Sequence, residues 1–280
     1  MSSQYPLAFP APPPPDPPER PEGVSPWPPW PWWYAPVGFL VAFIGGGLLL
    51  ALPVIAIGSL AGAGDDDPVL LLVATVLSDL ALLGTAVFLA SRVARPRLWH
   101  FGLVRTKFAP ALGWAALGLF AFYIFAASFT ALLGLDEEQT TLDDLGAEDS
   151  TVGLISAGIL VVVIAPIVEE VFFRGFFYRS IRNRLSVLPA ALISGAVFGL
   201  IHASTGVEAI PTLGVLGVIF CLVYERTKSL YPVIAMHAWN NTLAYGIGVE
   251  NALVAVALGA PTIAACVLAP RFVGRRAPAL

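Results

Sequence analysis

Residues 151–182 read TVGLISAGILVVVIAPIVEEVFFRGFFYRSIR. The first 18 of them carry no charge, which is close to the length of about 20 apolar residues that a membrane-spanning helix needs. Glu169 and Glu170 follow directly, and Arg174 lies one helical turn after Glu170. Ionisable side chains are costly in hydrocarbon unless they are paired or hydrated. This stretch therefore predicts a membrane helix that carries a functional site.

The composition of the whole chain also indicates a membrane protein. Of its 280 residues, 57% are hydrophobic and 12% are charged, whereas soluble domains average about 25% charged residues. Eight apolar segments are long enough to span a bilayer. They lie near 37–62, 68–91, 109–135, 151–173, 187–205, 207–224, 229–248 and 250–270. We therefore predict an all-α, polytopic bundle of about eight transmembrane helices in a lipid bilayer, with no nucleic-acid partner.

The charges between these segments predict the orientation of the chain. The loops after the second, fourth, sixth and eighth segments hold Arg and Lys, whereas the other loops carry only acidic charges. The positive-inside rule then places both termini in the cytoplasm. The chain has 2 Lys against 13 Arg and is rich in Ala, Gly and Pro, which favours a GC-rich bacterial genome. The expected location is a bacterial plasma membrane.

These patterns divide the chain into four predicted parts. Residues 1–35 hold 13 of the 25 prolines and are predicted to form a disordered, Pro- and Trp-rich cytoplasmic tail. Residues 36–135 would form the N-terminal transmembrane helices 1–3. Residues 150–248 would form a core of helices 4–7, and residues 249–280 a last helix with a basic cytoplasmic C-terminus.

Helical geometry relates the charged residues of the fourth segment to a histidine of the fifth. Glu170 and Arg174 share one helix face, so the arginine can neutralise Glu170, while Glu169 is turned about 100° away and stays available. Glu169 lies 16 residues before Leu185, and His202 lies 17 residues after it. In an antiparallel helix pair, Glu169 and His202 would therefore lie at the same depth and could face each other.

Two further groups complete the candidate site. His237 and Asn241 share a face of the seventh segment at a spacing of four residues, at a depth several ångströms from that of Glu169. Phe198 lies one turn before His202 and would form an apolar wall beside it.

These side chains suit two hydrolytic mechanisms. Glu169 and His202 could hold and deprotonate a water molecule, while His237 and Asn241 stabilise the oxyanion that forms when the water attacks a carbonyl. Alternatively, Glu169, His202 and His237 could bind Zn²⁺, and the metal would then activate the water. The sequence has no HExxH motif, and it leaves the choice between the two mechanisms open.

A non-catalytic function is the alternative interpretation. The same buried polar residues, together with Asp79 in the second segment, could form the proton or ligand path of a membrane carrier, or of an immunity or scaffold protein. Buried Glu–Arg pairs and lone membrane histidines also serve as structural contacts between helices. For Asp79 by itself, a structural role is the favoured interpretation.

The motifs resemble those of the CPBP family, the CAAX protease and bacteriocin-processing intramembrane proteases, which include the type II CAAX prenyl endopeptidases. The family's EExxxR motif corresponds to residues 169–174, its FxxxH motif to residues 198–202, and its HxxxN motif to residues 237–241. The three motifs occur in the expected order, and the resemblance covers roughly residues 150–245.

The resemblance implies an intramembrane endopeptidase within a helical bundle. It assigns water activation to Glu169 and His202, and oxyanion stabilisation to His237 and Asn241. The family is described both as glutamate proteases and as metalloproteases, so zinc remains open. The expected substrate is a hydrophobic or membrane-attached peptide or membrane protein, including CAAX-like ends.

Overall fold

The computed structural model describes residues 30–64, 67–134, 144–148, 150–203, 206 and 209–272, and within these ranges it is helical without any β-strand. Eight helical rods run through the described part of the chain. They are α1 (Tyr34–Leu60), α2 (Pro68–Ser91), α3 (Phe108–Leu133), α4 (Thr151–Arg182), α5 (Val187–Ile201), α6 (Ala209–Thr227), α7 (Leu230–Gly248) and α8 (Ala252–Arg271).

Six of these helices are long and apolar enough to cross a membrane, which corrects the prediction of eight spans. The two that fall short are α5 and α7. Helix α5 has 15 residues and is therefore about 22 Å long, against a hydrocarbon core of about 30 Å. Helix α7 has 19 residues but holds a polar run from Asn240 to Thr242 besides His237. The protein is a multi-pass membrane protein.

Helix α4 is not a uniform α-helix. Its α-helical segment Ala165–Glu170 lies between two π-helical stretches, Ile159–Ile164 and Val171–Tyr178. Pro166 explains part of this, because proline has no N–H to donate to the preceding turn and its ring crowds that turn. The wider turns change the directions in which Glu169 and Glu170 point from the helix. Such π-helical turns are frequent at functional sites.

Close backbone contact joins α5 to α6. A Cβ atom on Gly199 would lie 2.4 Å from the carbonyl oxygen of Ile210, and one on Gly217 would lie 2.9 Å from the Cα of Gly195. Small residues allow this approach, which is the usual way in which membrane helices pack closely. The contact fixes the end of α5, where His202 follows Ile201.

The described chain begins in the core. Trp30 is 2% exposed, and its ring centroid lies 5.2 Å from that of Phe101 and 5.5 Å from that of Phe176. Asn183 Nδ2 donates a hydrogen bond of 2.8 Å to the carbonyl oxygen of Trp30. The expected tail reaches residue 35, whereas Trp30 is already packed against the bundle and α1 begins at Tyr34. The part of the tail before Trp30 lies outside the described residues, as do the acidic residues 135–143 and the basic C-terminal residues 273–280.

Candidate active site

Three helices bring a carboxylate and two histidines together. Glu169 Oε2 of α4 lies 3.9 Å from His202 Nε2 at the end of α5 and 4.0 Å from His237 Nε2 of α7. The expected pairing of Glu169 with His202 is thus present in the structure. His237 reaches this point although its expected depth differed by several ångströms, and α7 packs against α4 there.

Glu170 links His237 of this site to Arg174. Its Oε1 atom accepts a hydrogen bond of 2.6 Å from Arg174 Nη1, and both side chains are fully buried. The same oxygen lies 2.9 Å from His237 Nδ1. Arg174 also donates through Nη2 to the carbonyl oxygen of Gly217, at 3.1 Å. The expected Glu170–Arg174 pair is confirmed, and its contact with His237 is an addition that the sequence did not predict.

Aromatic rings enclose the ion pair and line the site. The guanidinium of Arg174 lies 4.4 Å from the ring centroid of Phe198 and 4.9 Å from that of Phe220. Phe198 also packs beside both histidine rings, at centroid distances of 4.8 Å for His202 and 5.8 Å for His237. Phe198 therefore forms the expected apolar wall and also gives Arg174 a cation–π partner.

The hydrogen-bond partners fix which ring nitrogen of each histidine carries a proton. His202 Nδ1 lies 2.8 Å from the carbonyl oxygen of Phe198, and a carbonyl oxygen can only accept, so this nitrogen donates. His237 Nδ1 likewise donates to the Glu170 carboxylate. In the neutral imidazoles, both Nε2 atoms are therefore acceptors, and both face Glu169 Oε2.

The spacing of these three groups is wider than that of zinc ligands. Two ligands of one tetrahedral zinc ion lie about 3.3 Å apart when each bond is about 2.0 Å long. The separations from Glu169 Oε2 to the two Nε2 atoms are 3.9 and 4.0 Å. Among the described residues, no group of three or more His, Cys, Asp or Glu side chains has an arrangement that could hold a metal ion.

Asn241 contacts α4 eight residues before Glu169. Its Nδ2 atom donates a hydrogen bond of 2.9 Å to the carbonyl oxygen of Val161, in the first π-helical stretch. One N–H of the amide is used in this bond, and a primary amide has a second. Asn241 thus ties α7 to α4 one turn away from His237.

Asp79, for which the sequence favoured a structural role, lies near the site. It lies in α2, on the helix that packs against the Ala165–Glu170 segment, and it is 6% exposed. Its carboxyl group interacts electrostatically with Glu169 and His237. Its Oδ2 atom is buried without a hydrogen-bond partner among the described residues. The available signal was an ionisable residue in the middle of an apolar segment, which by default indicates function.

The three motif regions thus meet at one point of the bundle. Residues 151–243 match the family model of the Rce1-like type II CAAX prenyl endopeptidases. The resemblance drawn from the motifs is therefore confirmed for this segment. The Rce1-like segment contains α5, α6 and all of the motif residues.

One curated relative also matches. The chain is 30% identical over 80 residues to the "Putative membrane peptidase YdiL" of Bacillus subtilis (strain 168). The aligned part covers 29% of this chain and about a third, 32%, of the length of that relative. No solved structure matches the chain. Both matches carry peptidase descriptions.

Proposed function

We propose that this protein is an intramembrane endopeptidase that hydrolyses a peptide bond in a hydrophobic or membrane-attached substrate. The observation that carries the proposal is the position of Glu169 Oε2. This atom is buried, has no hydrogen-bond partner among the described residues, and lies within 4.0 Å of two histidine Nε2 atoms. Such a cluster is costly to bury in a membrane protein and is therefore expected to have a function.

The first step is activation of water by Glu169 and His202. One water molecule can bridge Glu169 Oε2 and His202 Nε2, because hydrogen bonds of about 2.8 Å to each would span the 3.9 Å between them. Both atoms accept, so they orient the two protons of the water and leave its lone pairs for the substrate carbonyl carbon. Glu169 takes the proton as the carbon–oxygen bond forms.

The second step is stabilisation of the oxyanion by His237 and Asn241. His237 can donate through Nε2 only as an imidazolium, since its Nδ1 proton is already used on Glu170. As an imidazolium, His237 would offset part of the negative charge of the Glu169, Glu170 and Asp79 carboxylates, which Arg174 alone does not balance. The second amide N–H of Asn241 is the other donor.

The last step releases the amine. The proton on Glu169 passes to the departing nitrogen as the carbon–nitrogen bond breaks, which returns Glu169 to its carboxylate form. The Phe198 ring, packed against His202 and His237, limits the space in which the substrate carbonyl can approach. We therefore propose the glutamate mechanism.

The setting of the reaction follows from the charge pattern and the relatives. We place the protein in a bacterial plasma membrane with both termini in the cytoplasm, because the basic loops lie on one side when α5 and α7 also run from one side of the bundle to the other. The substrate class includes CAAX-like ends, the class named for the matching family.

The test compares Glu169→Gln with Glu250→Gln, a matched change at an exposed residue between α7 and α8. Purified proteins in liposomes would receive a library of hydrophobic peptides, with and without a lipidated C-terminal cysteine, and products would be identified by mass spectrometry. We expect Glu169→Gln to lower cleavage at least about 10²-fold, the usual contribution of a general base, with unchanged thermal stability. Wild-type rates in this variant would refute the proposal.

A second measurement on the same samples addresses the metal. We expect the active wild-type protein to contain no stoichiometric zinc by elemental analysis and to keep its activity after dialysis against a chelator. Loss of activity with the chelator, restored by zinc, would overturn the glutamate mechanism while leaving the protease assignment intact.

A further inference from the structure

A lateral cavity lies on the side of α7 that faces away from the site. It has a volume of about 330 Å³, at the low end of the range of about 300–1,000 Å³ for small-molecule sites. Helices α3 and α8 form its walls and the start of α7 forms its floor. Its apolar lining includes Leu112, Ala115, Tyr231, Ala235, Ile263 and Val267.

The cavity ends at two arginines. Arg105 precedes the start of α3, and Arg271 is the last residue of α8, so both lie at the same end of the cavity as Tyr231, near the start of α7. Neither arginine forms an ion pair with a carboxylate in the described part of the chain. The cavity thus combines an apolar slot between helices with two unneutralised cations at one end.

This arrangement matches the chemistry of a membrane lipid with an anionic head group. An acyl chain fits an apolar slot between helices, and an anionic head group fits arginines at the ends of those helices. Arginine is suited to phosphate because its planar guanidinium donates two parallel hydrogen bonds. A zwitterionic lipid would fill the slot equally well but would gain less from the two cations.

We propose that the cavity between α3 and α8 is a binding site for one anionic phospholipid, with its phosphate on Arg105 and Arg271 and one acyl chain in the slot. The lipid would hold α3 and α8 against the outer face of α7, whose inner face carries His237. The proposal is independent of the protease assignment, because it concerns lipid binding and not cleavage.

The experiment measures lipid binding by native mass spectrometry. The delipidated full chain in a mild detergent would receive phosphatidylglycerol or phosphatidylcholine with identical acyl chains. We expect one phosphatidylglycerol to bind per chain, about tenfold or more tightly than phosphatidylcholine, given the contribution of each basic residue near an anionic head group. Equal binding of the two lipids would overturn the proposal.

Two variants locate the site. Arg105→Gln with Arg271→Gln should lower phosphatidylglycerol binding about tenfold or more, whereas the matched pair Arg92→Gln with Arg184→Gln, both exposed residues elsewhere, should leave it unchanged. Leu112→Trp should lower the binding of both lipids by filling the slot. Unchanged binding in the Arg105/Arg271 variant would refute the assignment.

A competition experiment separates a lipid from free phosphate. Inorganic phosphate at millimolar concentration should fail to displace bound phosphatidylglycerol from the wild-type chain, because it lacks the acyl chain that occupies the slot. Displacement by phosphate would show that the two arginines bind an anion alone and would overturn the proposal of a lipid site.

Discussion

The last third of α1 and the second half of α4 are both strongly apolar, yet they occupy opposite environments. No residue of Leu52–Leu60 is buried, whereas every residue of Val171–Tyr178 is buried. The buried stretch contains Arg174 and follows the two glutamates, while the exposed stretch contains no charge. Apolar sequence therefore indicates only that a helix lies in the membrane. The ionisable residues indicate which helix lies at the centre.

The largest expected effect comes from removing the positive charge of Arg174 in the buried part of α4. Arg174→Met leaves Glu170 buried without its cation, which is expected to destabilise the protein by about 3–5 kcal/mol. The measurement is the thermal unfolding midpoint in detergent, with Arg92→Met at the exposed end of α2 as control. A restored midpoint in a Glu170→Gln, Arg174→Met double variant would support the charge explanation, and equal midpoints for the two single variants would contradict it.

The next test concerns close packing within the core. Gly199→Val would force side-chain atoms onto the Ile210 carbonyl oxygen and should cost about 1–3 kcal/mol, typical of overpacking. It should also lower activity, because the end of α5 carries His202. Unfolding midpoint and cleavage rate are measured on the same sample. An unchanged midpoint would show that α5 and α6 can separate without loss.

Asp79 tests whether the site extends beyond α4. It lies in α2, most of whose residues are not buried, yet it interacts with Glu169 and His237. Asp79→Asn keeps the shape and removes the charge, and we expect about a tenfold fall in kcat, equivalent to about 1.4 kcal/mol, with an unchanged unfolding midpoint. Ser78→Ala, at the neighbouring position, is the control. Full activity in Asp79→Asn would restrict this residue to a structural contact.

The smallest effect is expected where a glycine has free space around it. Nothing lies within 4 Å of a Cβ atom built on Gly84 in α2. Gly84→Ala should therefore stabilise the protein by about 0.5–1 kcal/mol through the higher helix propensity of alanine. A loss of stability like that of Gly199→Val would show that the outer helices are packed as closely as the core.

The sequence predicted much of this architecture for physical reasons. The positions of the helices follow from apolar length, and the facing of Glu169 and His202 follows from counting residues out from the turn at Leu185. The count of spans was wrong because α5 ends at Ile201 and α7 carries polar residues, and these are the helices that supply His202, His237 and Asn241. Polar side chains lower the hydropathy on which span prediction depends.

Two other contacts of the site could not be predicted from residue spacing, because they depend on how the helices pack in three dimensions. The bond from His237 to Glu170 joins residues 67 positions apart, and its geometry depends on the turn width of α4. The approach of Asp79 to Glu169 depends on the angle at which α2 crosses α4. The roles of Glu169, His202, His237 and Asn241 remain predictions until the variants are measured.

The contact between Trp30 and α4 has a consequence for the assembly of the protein. Trp30 packs on Phe176, and its carbonyl oxygen accepts the hydrogen bond from Asn183 at the end of α4. Phe176 and Asn183 are synthesised only after α1, α2 and α3, so Trp30 cannot reach its final position until the fourth helix has been inserted. During that interval α1 must persist in the bilayer without them, and its uninterrupted apolar sequence is suited to that.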